Sequence, residues 1–92
     1  MDKTAYQIEI ISRIRKIRIA NDISQVGLAN LIEVSNGQIG NIESPKFKHK
    51  YTLKQLYSIA RYFNVSIGYI MTGDNKPLST TQLIEALIKY EE

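Results

Sequence analysis

The chain has 92 residues, which suits one domain built around a single hydrophobic core. Hydrophobic residues make up 43% of it, which excludes wholesale disorder, and the lack of cysteine excludes disulfides, thiolate metal sites and cysteine nucleophiles. The net charge is only +3, but residues 13–61 hold nine basic and three acidic side chains, a local balance of +6. This segment predicts a polyanionic partner such as nucleic acid, the alternative being an ordinary solvated surface.

Apolar residues recur at helical spacing and strand-type alternation is absent, so the sequence predicts an all-α fold. A capping box of Thr4 and Gln7 begins a first helix over 5–20. Its predicted inner face is a stripe of isoleucines (Ile8, Ile10, Ile11, Ile14 and Ile17). Ser24 caps a second helix over 25–32 and Ser35 a third over 36–43. Only three residues separate these two helices, which favours a sharp turn between crossed helices.

Three more helices are predicted after a polar loop over 44–51. The fourth begins at a capping box of Thr52 and Gln55 and ends at Asn64, a plausible left-handed stop. Its core side is Leu53, Leu56, Ile59, Ala60 and Phe63. The fifth covers 67–71. A linker follows, and a box of Ser79 and Gln82 begins the sixth. The inner face predicted for that last helix is Leu83, Ile84, Leu87 and Ile88.

The segment from Ser24 to Glu43 reads S-Q-V-G-L-A-N-L-I-E-V-S-N-G-Q-I-G-N-I-E. It resembles the helix-turn-helix of the phage-repressor and Cro-type family, also called lambda repressor-like or Xre. The matching residues are Ser24, Gln25, Leu28, Ala29, Val34, Ser35, Ile39 and Glu43. The resemblance continues over about residues 10–74 through Arg18, Ala60, Phe63 and the run V-S-I-G-Y-I-M-T-G-D. It implies a five-helix DNA-binding domain over 1–74, with the helix-turn-helix at 24–43. Residues 75–92 are then a linker and a sixth helix that either packs on its own chain or forms a dimer interface.

The outward face of the predicted third helix carries amides and glycines. At 100° per residue, Ile39 and Ile42 point inward, which leaves no bulky apolar group outside. Such a face fits a major groove about 12 Å wide, where amides pair with adenine. We predict base contact from Asn36, Gly37, Gln38 and Asn41. The alternatives are a solvated polar face and, for Gln38, a capping box with Ser35.

DNA backbone contact is predicted from Ser24, Gln25, Lys46, Lys48 and Lys50. The resemblance implies that Gln25 contacts a phosphate and braces Asn36. The lysines follow the third helix and are placed for phosphate contact. The alternative for Ser24 is that it serves only as an N-cap, and the alternative for the lysines is that they only make the loop soluble. The resemblance also implies a partly buried salt bridge between Arg18 and Glu43.

Two departures from the family pattern concern backbone strain and helix stability. Glu33 stands where the family usually has glycine, and a left-handed conformation there would cost about 1 kcal/mol. Gly37 and Gly40 are expected to weaken the third helix by about 1 kcal/mol each. Asn36-Gly37 alone would indicate a hairpin turn, but flanking strands are lacking, so we assign it to the helix.

These features predict a transcriptional regulator, specifically a repressor, that binds a near-palindromic double-stranded operator as a homodimer. The alternative is a DNA-binding antitoxin whose C-terminal helix holds a toxin. Paired carboxylates, a phosphate loop and a nucleophile with a base are all missing from the sequence, so we expect no enzyme and no cofactor. His49 has no ligand companions, so no metal is expected. No apolar run approaches the roughly 18 residues of a membrane span and the first residues contain no export signal, so we expect a cytoplasmic protein.

Overall fold

The structure, a computed structural model, describes residues 3–92. These residues form six α-helices, without a strand among them: α1 (Ala5–Ala20), α2 (Gln25–Leu31), α3 (Gln38–Glu43), α4 (Leu53–Phe63), α5 (Ile67–Thr72) and α6 (Thr80–Glu91). The predicted all-α class is confirmed. The boundaries of α1, α2, α4 and α5 agree with prediction to within one residue, whereas α3 begins two residues later than expected.

Hydroxyl side chains begin five of these helices. Thr4, Thr52 and Ser79 form the three predicted capping boxes with Gln7, Gln55 and Gln82. Ser24 and Ser66 each accept one hydrogen bond from a backbone N–H of the first turn. These caps satisfy amide groups that a helix leaves unpaired at its start, so the local sequence fixes where each helix begins.

Three helices end in the same way, with a backbone N–H bonded to the carbonyl five residues earlier. The pairs are Ile23 to Arg18 (3.0 Å), Val34 to Ala29 (2.9 Å) and Val65 to Ala60 (3.0 Å). A left-handed residue precedes each donor: Asp22 (φ 57°), Glu33 (φ 60°) and Asn64 (φ 56°). This is the Schellman arrangement, and the donor residue of each pair packs on the core. The left-handed stop predicted at Asn64 is confirmed, and Glu33 adopts the strained conformation considered for it.

The core contains fewer of the predicted apolar residues than expected. Ile8 is 47% exposed, Ile17 is half-buried and Leu53 is exposed at the first turn of α4. Two polar residues of α1, Gln7 and Arg18, are buried instead. The prediction counted apolar residues alone, whereas these two side chains lie on the buried stripe because each finds hydrogen-bond partners inside the molecule.

Helix α6 packs against α1 and α5 of its own chain. Its inner face agrees with the prediction at Leu83 and Leu87 but not at Ile84 and Ile88. Ile84 and Ile88 are 50% and 56% exposed, and the packed residues are Leu83, Ala86, Leu87 and Tyr90. Tyr90 is fully buried, so the face of α6 that carries it is turned toward the core. Its hydroxyl donates to the Tyr51 carbonyl at 2.6 Å, and its own carbonyl accepts from the Gln7 amide at 2.6 Å.

Candidate nucleic-acid interface

Helix α3 follows a tight turn over residues 35–38. The Gln38 N–H donates to the Ser35 carbonyl at 3.2 Å, and Gly37, the third residue of the turn, has a φ of 91°. A positive φ at this position is typical of a type II turn, which favours glycine there. The prediction that Ser35 caps a helix beginning at Asn36 is therefore wrong, and so is the capping box proposed for Gln38. Asn36 and Gly37 are the two central residues of a turn, although no strands flank them.

The predicted base-contact residues lie on the turn and on the first part of α3. Asn36 and Gly37 are exposed in the turn, and Gln38 and Asn41 are half-buried in the helix. Beneath them, Ile39 and Ile42 are fully buried, as predicted. The turn and the helix thus present the amide groups of three residues outside a fixed apolar base.

Gly40 has a packing role that the sequence did not indicate. A Cβ atom built on it would lie 3.3 Å from Oε1 of Gln25, so the glycine leaves room for the Gln25 side chain to cross from α2 to α3. The Gln25 amide donates to Oε1 of Glu43 at 3.0 Å. Gln25 therefore braces Glu43, and no hydrogen bond between Gln25 and Asn36 is found among the described residues.

Glu43, the last residue of α3, is tied to α1 through two parallel hydrogen bonds. Nε and Nη2 of Arg18 each lie 2.9 Å from a carboxylate oxygen, and the two side chains are only 8% and 5% exposed. Nη1 of Arg18 donates to the Ile23 carbonyl at 2.9 Å. This buried pair, expected from the resemblance, fixes the end of α3 against α1.

Arg15 was not predicted at this site. Its Nε lies 3.6 Å from Oε1 of Glu43, and its side chain is 56% exposed. Because Arg15 precedes Arg18 by three residues on α1, the two side chains share a helix face. That spacing is a signal from which sequence reasoning could have found Arg15 beside the end of α3.

Lys3 is the second residue that sequence reasoning missed. It is only 7% exposed, and its ammonium group donates to the carbonyls of Ile42 and, at 2.7 Å, Ser44. These carbonyls belong to the C-terminal end of α3, 39 and 41 residues along the chain. No local pattern connects residues so far apart, so the sequence carried no signal for this contact.

The three lysines of the loop after α3 divide into two groups. Lys46 and Lys48 are exposed. Lys50 is half-buried, and its Nζ lies 3.5 Å from the carbonyls of Tyr90 and Glu91 and 5.4 Å from the centre of the Tyr90 ring. A positive charge is favourable at the C-terminal end of a helix, so Lys50 supports the docking of α6.

Tyr51 lies in the core close to the charges of Glu43 and Arg18. Its hydroxyl is the one buried side-chain polar atom among residues 3–92 for which no hydrogen-bond partner is found. Burial raises the pKa of Tyr51 far above its ordinary value, and the Glu43 carboxylate raises it further. Burial likewise raises the pKa of Tyr90. Both phenols are therefore neutral well into the alkaline range.

A family model described as a helix-turn-helix domain matches residues 11–76. The match covers more than two thirds of the chain and includes α2, the turn and α3. The chain belongs to this helix-turn-helix family. Helix-turn-helix domains bind DNA, and they do so by placing the second helix of the motif in the major groove. Comparison with curated proteins and with solved structures gives no significant match.

Within residues 3–92, no group of three acidic or histidine side chains is placed to hold a metal ion. None of the helices in that range combines the length and apolar character that are needed to span a membrane.

Proposed function

We propose that this helix-turn-helix protein is a sequence-specific transcriptional repressor that acts in the cytoplasm. It inserts α3 and the preceding turn into the major groove of double-stranded DNA, with Asn36, Gln38 and Asn41 at base edges and the Gly37 backbone close to them. The observation that carries the proposal is the buried attachment of Glu43 to Arg18 and Gln25. Because this attachment holds α3 and the exposed turn before it in one position, base contacts can be made with little loss of conformational entropy.

Backbone contacts position the protein on the duplex in this proposal. Ser24 and Gln25 lie exposed at the start of α2, and Lys46 and Lys48 are exposed after α3. Their donors suit phosphate oxygens and carry no sequence information. Lys50, predicted as a third lysine contact, contributes less because its side chain is engaged at the end of α6.

The protein binds its operator as a homodimer, which places two α3 helices one turn of DNA apart, about 34–36 Å. Selection of bound sequences from a random duplex pool tests this arrangement. We expect an enriched near-palindrome with two half-sites spaced by about 10 base pairs. A pool with no enrichment, bound with the same affinity as the starting sequences, would contradict sequence-specific repression.

A second candidate function is that of a DNA-binding antitoxin, and the outer face of α6 favours it. Ile84 and Ile88 are four residues apart and about half exposed, which is a surface that a protein partner can cover. Coexpression with the product of a neighbouring reading frame tests this function. If that product arrests growth, the chain should relieve the arrest, and the double substitution Ile84→Asp and Ile88→Asp should abolish relief while DNA binding persists.

A further inference from the structure

We propose that Lys3 is a positioning residue for sequence discrimination: its ammonium group holds the C-terminal end of α3 in place without contacting DNA. The inference rests on the proposed function, since discrimination presupposes a helix that contacts bases. Lys3 therefore takes part in recognition through the position of α3, whereas its charge alone would suggest a phosphate contact.

Helix α3 depends on external support at both ends. It has only six residues, whereas isolated helices shorter than about 12 residues are marginal in water. Its first residue follows Gly37, which provides no side-chain cap. Its last carbonyls have no partners within the helix and carry the negative end of the helix dipole. An ammonium group that donates to two carbonyls at this end satisfies both needs.

Lys3 is itself held firmly, so it can act as an anchor. It directly precedes Thr4, the N-cap of α1, and the first turn of α1 is fixed through the hydrogen bond from Gln7 to the Tyr90 carbonyl. The contact between Lys3 and the carbonyls of Ile42 and Ser44 thus joins the start of α1 to the end of α3. Movement of the end of α3 would have to displace α1 or break this contact.

Direct phosphate binding by Lys3 is disfavoured by its burial. Only 7% of the residue is exposed, and an ammonium group has three donors, two of which serve backbone carbonyls here. Lys48, in contrast, is exposed and belongs to the loop after α3. We therefore expect Lys3 to affect the discrimination between DNA sequences and Lys48 to affect the binding of phosphates in any sequence.

A salt series separates these two roles. Removing a phosphate contact weakens binding to all sequences and reduces the magnitude of the negative slope of log K against log salt concentration by about 0.9. Removing a positioning residue weakens binding to the preferred sequence more than to others and leaves the slope unchanged. The three matched variants are Lys3→Met, Lys48→Met and Lys76→Met, the last on an exposed residue of the connection between α5 and α6.

Binding of each variant is measured on the selected operator and on a scrambled duplex. For Lys3→Met we expect about tenfold weaker binding to the operator, less than a twofold change on the scrambled duplex and an unchanged slope. Lys48→Met should weaken binding to both and reduce the slope, and Lys76→Met should change neither. An equal loss on both duplexes for Lys3→Met, or a slope reduced as in Lys48→Met, overturns the proposal.

A measurement without DNA keeps this inference separate from the proposed function. Amide hydrogen exchange in Lys3→Met should accelerate at least tenfold at residues 41–44 but not at Ile59 and Ala60 of α4, and Lys76→Met should show no acceleration. If exchange at residues 41–44 accelerates in Lys3→Met but the wild type binds no DNA, the proposed function fails while the anchoring of α3 stands. If Lys3→Met unfolds, Lys3→Gln, which retains a donor, takes its place. Equal acceleration in α3 and α4, or none, overturns the anchoring role.

Discussion

At the scale of single residues, the three Schellman ends differ in how well their left-handed residue tolerates a positive φ. Asn64 and Asp22 have short polar side chains that adopt this conformation more readily than other residues. Glu33 has no such advantage, and its φ of 60° is a source of strain at the turn between α2 and α3. The turn keeps its shape because Val34 packs on the core after it.

Replacement of this strained glutamate, Glu33→Gly, should stabilise the protein. Relief of left-handed strain is worth about 1–2 kcal/mol, and the greater freedom of glycine in the unfolded chain offsets up to about 1 kcal/mol of it. We expect a net gain of about 0.5–1 kcal/mol, measured by urea or thermal unfolding. The matched control is Asn64→Gly, which should give no gain. An equal response at both positions would contradict a strain specific to Glu33.

Residues at this scale also show what the sequence could predict. The caps at Thr4, Ser24, Thr52 and Ser79 and the stop at Asn64 were predictable because each depends on residues within four positions of it. The pair of Arg18 and Glu43 was predictable from the resemblance. The contacts of Lys3 and Gln25 with the end of α3 were not, because they depend on how distant elements meet after folding.

At the scale of elements, α3 is joined to α1 through the buried ion pair of Arg18 and Glu43. Removing one partner should destabilise the protein more than removing both. Glu43→Leu leaves the Arg18 guanidinium buried without a counter-charge. Arg18→Met leaves the buried carboxylate with only the Gln25 amide and the more distant, largely exposed Arg15 as partners. Each single variant should lose about 3–5 kcal/mol of unfolding free energy. The double variant should lose much less, because no unpaired charge stays buried.

Urea unfolding of the two single variants and the double variant measures this coupling. A double variant as unstable as the sum of the single ones would show that the pair is not energetically coupled. Arg18→Lys serves as a control for geometry. It keeps the charge but loses the two parallel hydrogen bonds, so we expect it to be destabilised as well.

The loop after α3 should separate into a part that binds DNA and a part that holds α6. Substitution of both Lys46 and Lys48 with alanine should reduce the magnitude of the salt slope of DNA binding by about 1.8, because two phosphate contacts are lost. Lys50→Ala should leave the slope unchanged and accelerate amide exchange in α6. If Lys50→Ala reduces the slope as much as one of the other lysines, its contact with Tyr90 does not persist on DNA.

The start of α3 shows where element prediction failed. The pair Asn36-Gly37 is a turn signal, but it was assigned to a helix because helical spacing continued through it and strands were absent. A type II turn requires only a residue that tolerates a positive φ at its third position, which Gly37 supplies. Local turn chemistry therefore outweighed apolar periodicity. Similarly, α6 is rotated from the predicted face because Tyr90, polar at one end, is its most buried side chain.

At the scale of the whole molecule, the two buried tyrosines make stability depend on alkaline pH. The pKa values of Tyr51 and Tyr90 are raised in the folded protein, whereas tyrosine in the unfolded chain ionises near pH 10. Above that pH the unfolded chain binds fewer protons than the folded one, so stability falls as pH rises. Below it, the contribution of both groups is fully present.

We therefore expect unfolding free energy to fall by about 3 kcal/mol per pH unit above pH 10, from two groups at about 1.4 kcal/mol each. Tyr51→Phe should halve this slope and cost little at neutral pH, because the hydroxyl that it removes has no partner in the described chain. Tyr62→Phe, at a residue 53% exposed, should leave the slope unchanged. A Tyr51→Phe slope equal to that of the wild type would contradict the burial of this phenol.

In the proposed function, the start of α2, the turn with α3 and the lysines that follow form a single DNA-binding surface. Titration of the isotopically labelled protein with the selected duplex, followed by amide chemical-shift changes, tests this surface most directly. We expect the largest changes at residues 24–25, 36–41 and 46–48, with small ones in α4 and α6. Changes centred on α4 or α6, with residues 36–41 unaffected, would contradict it.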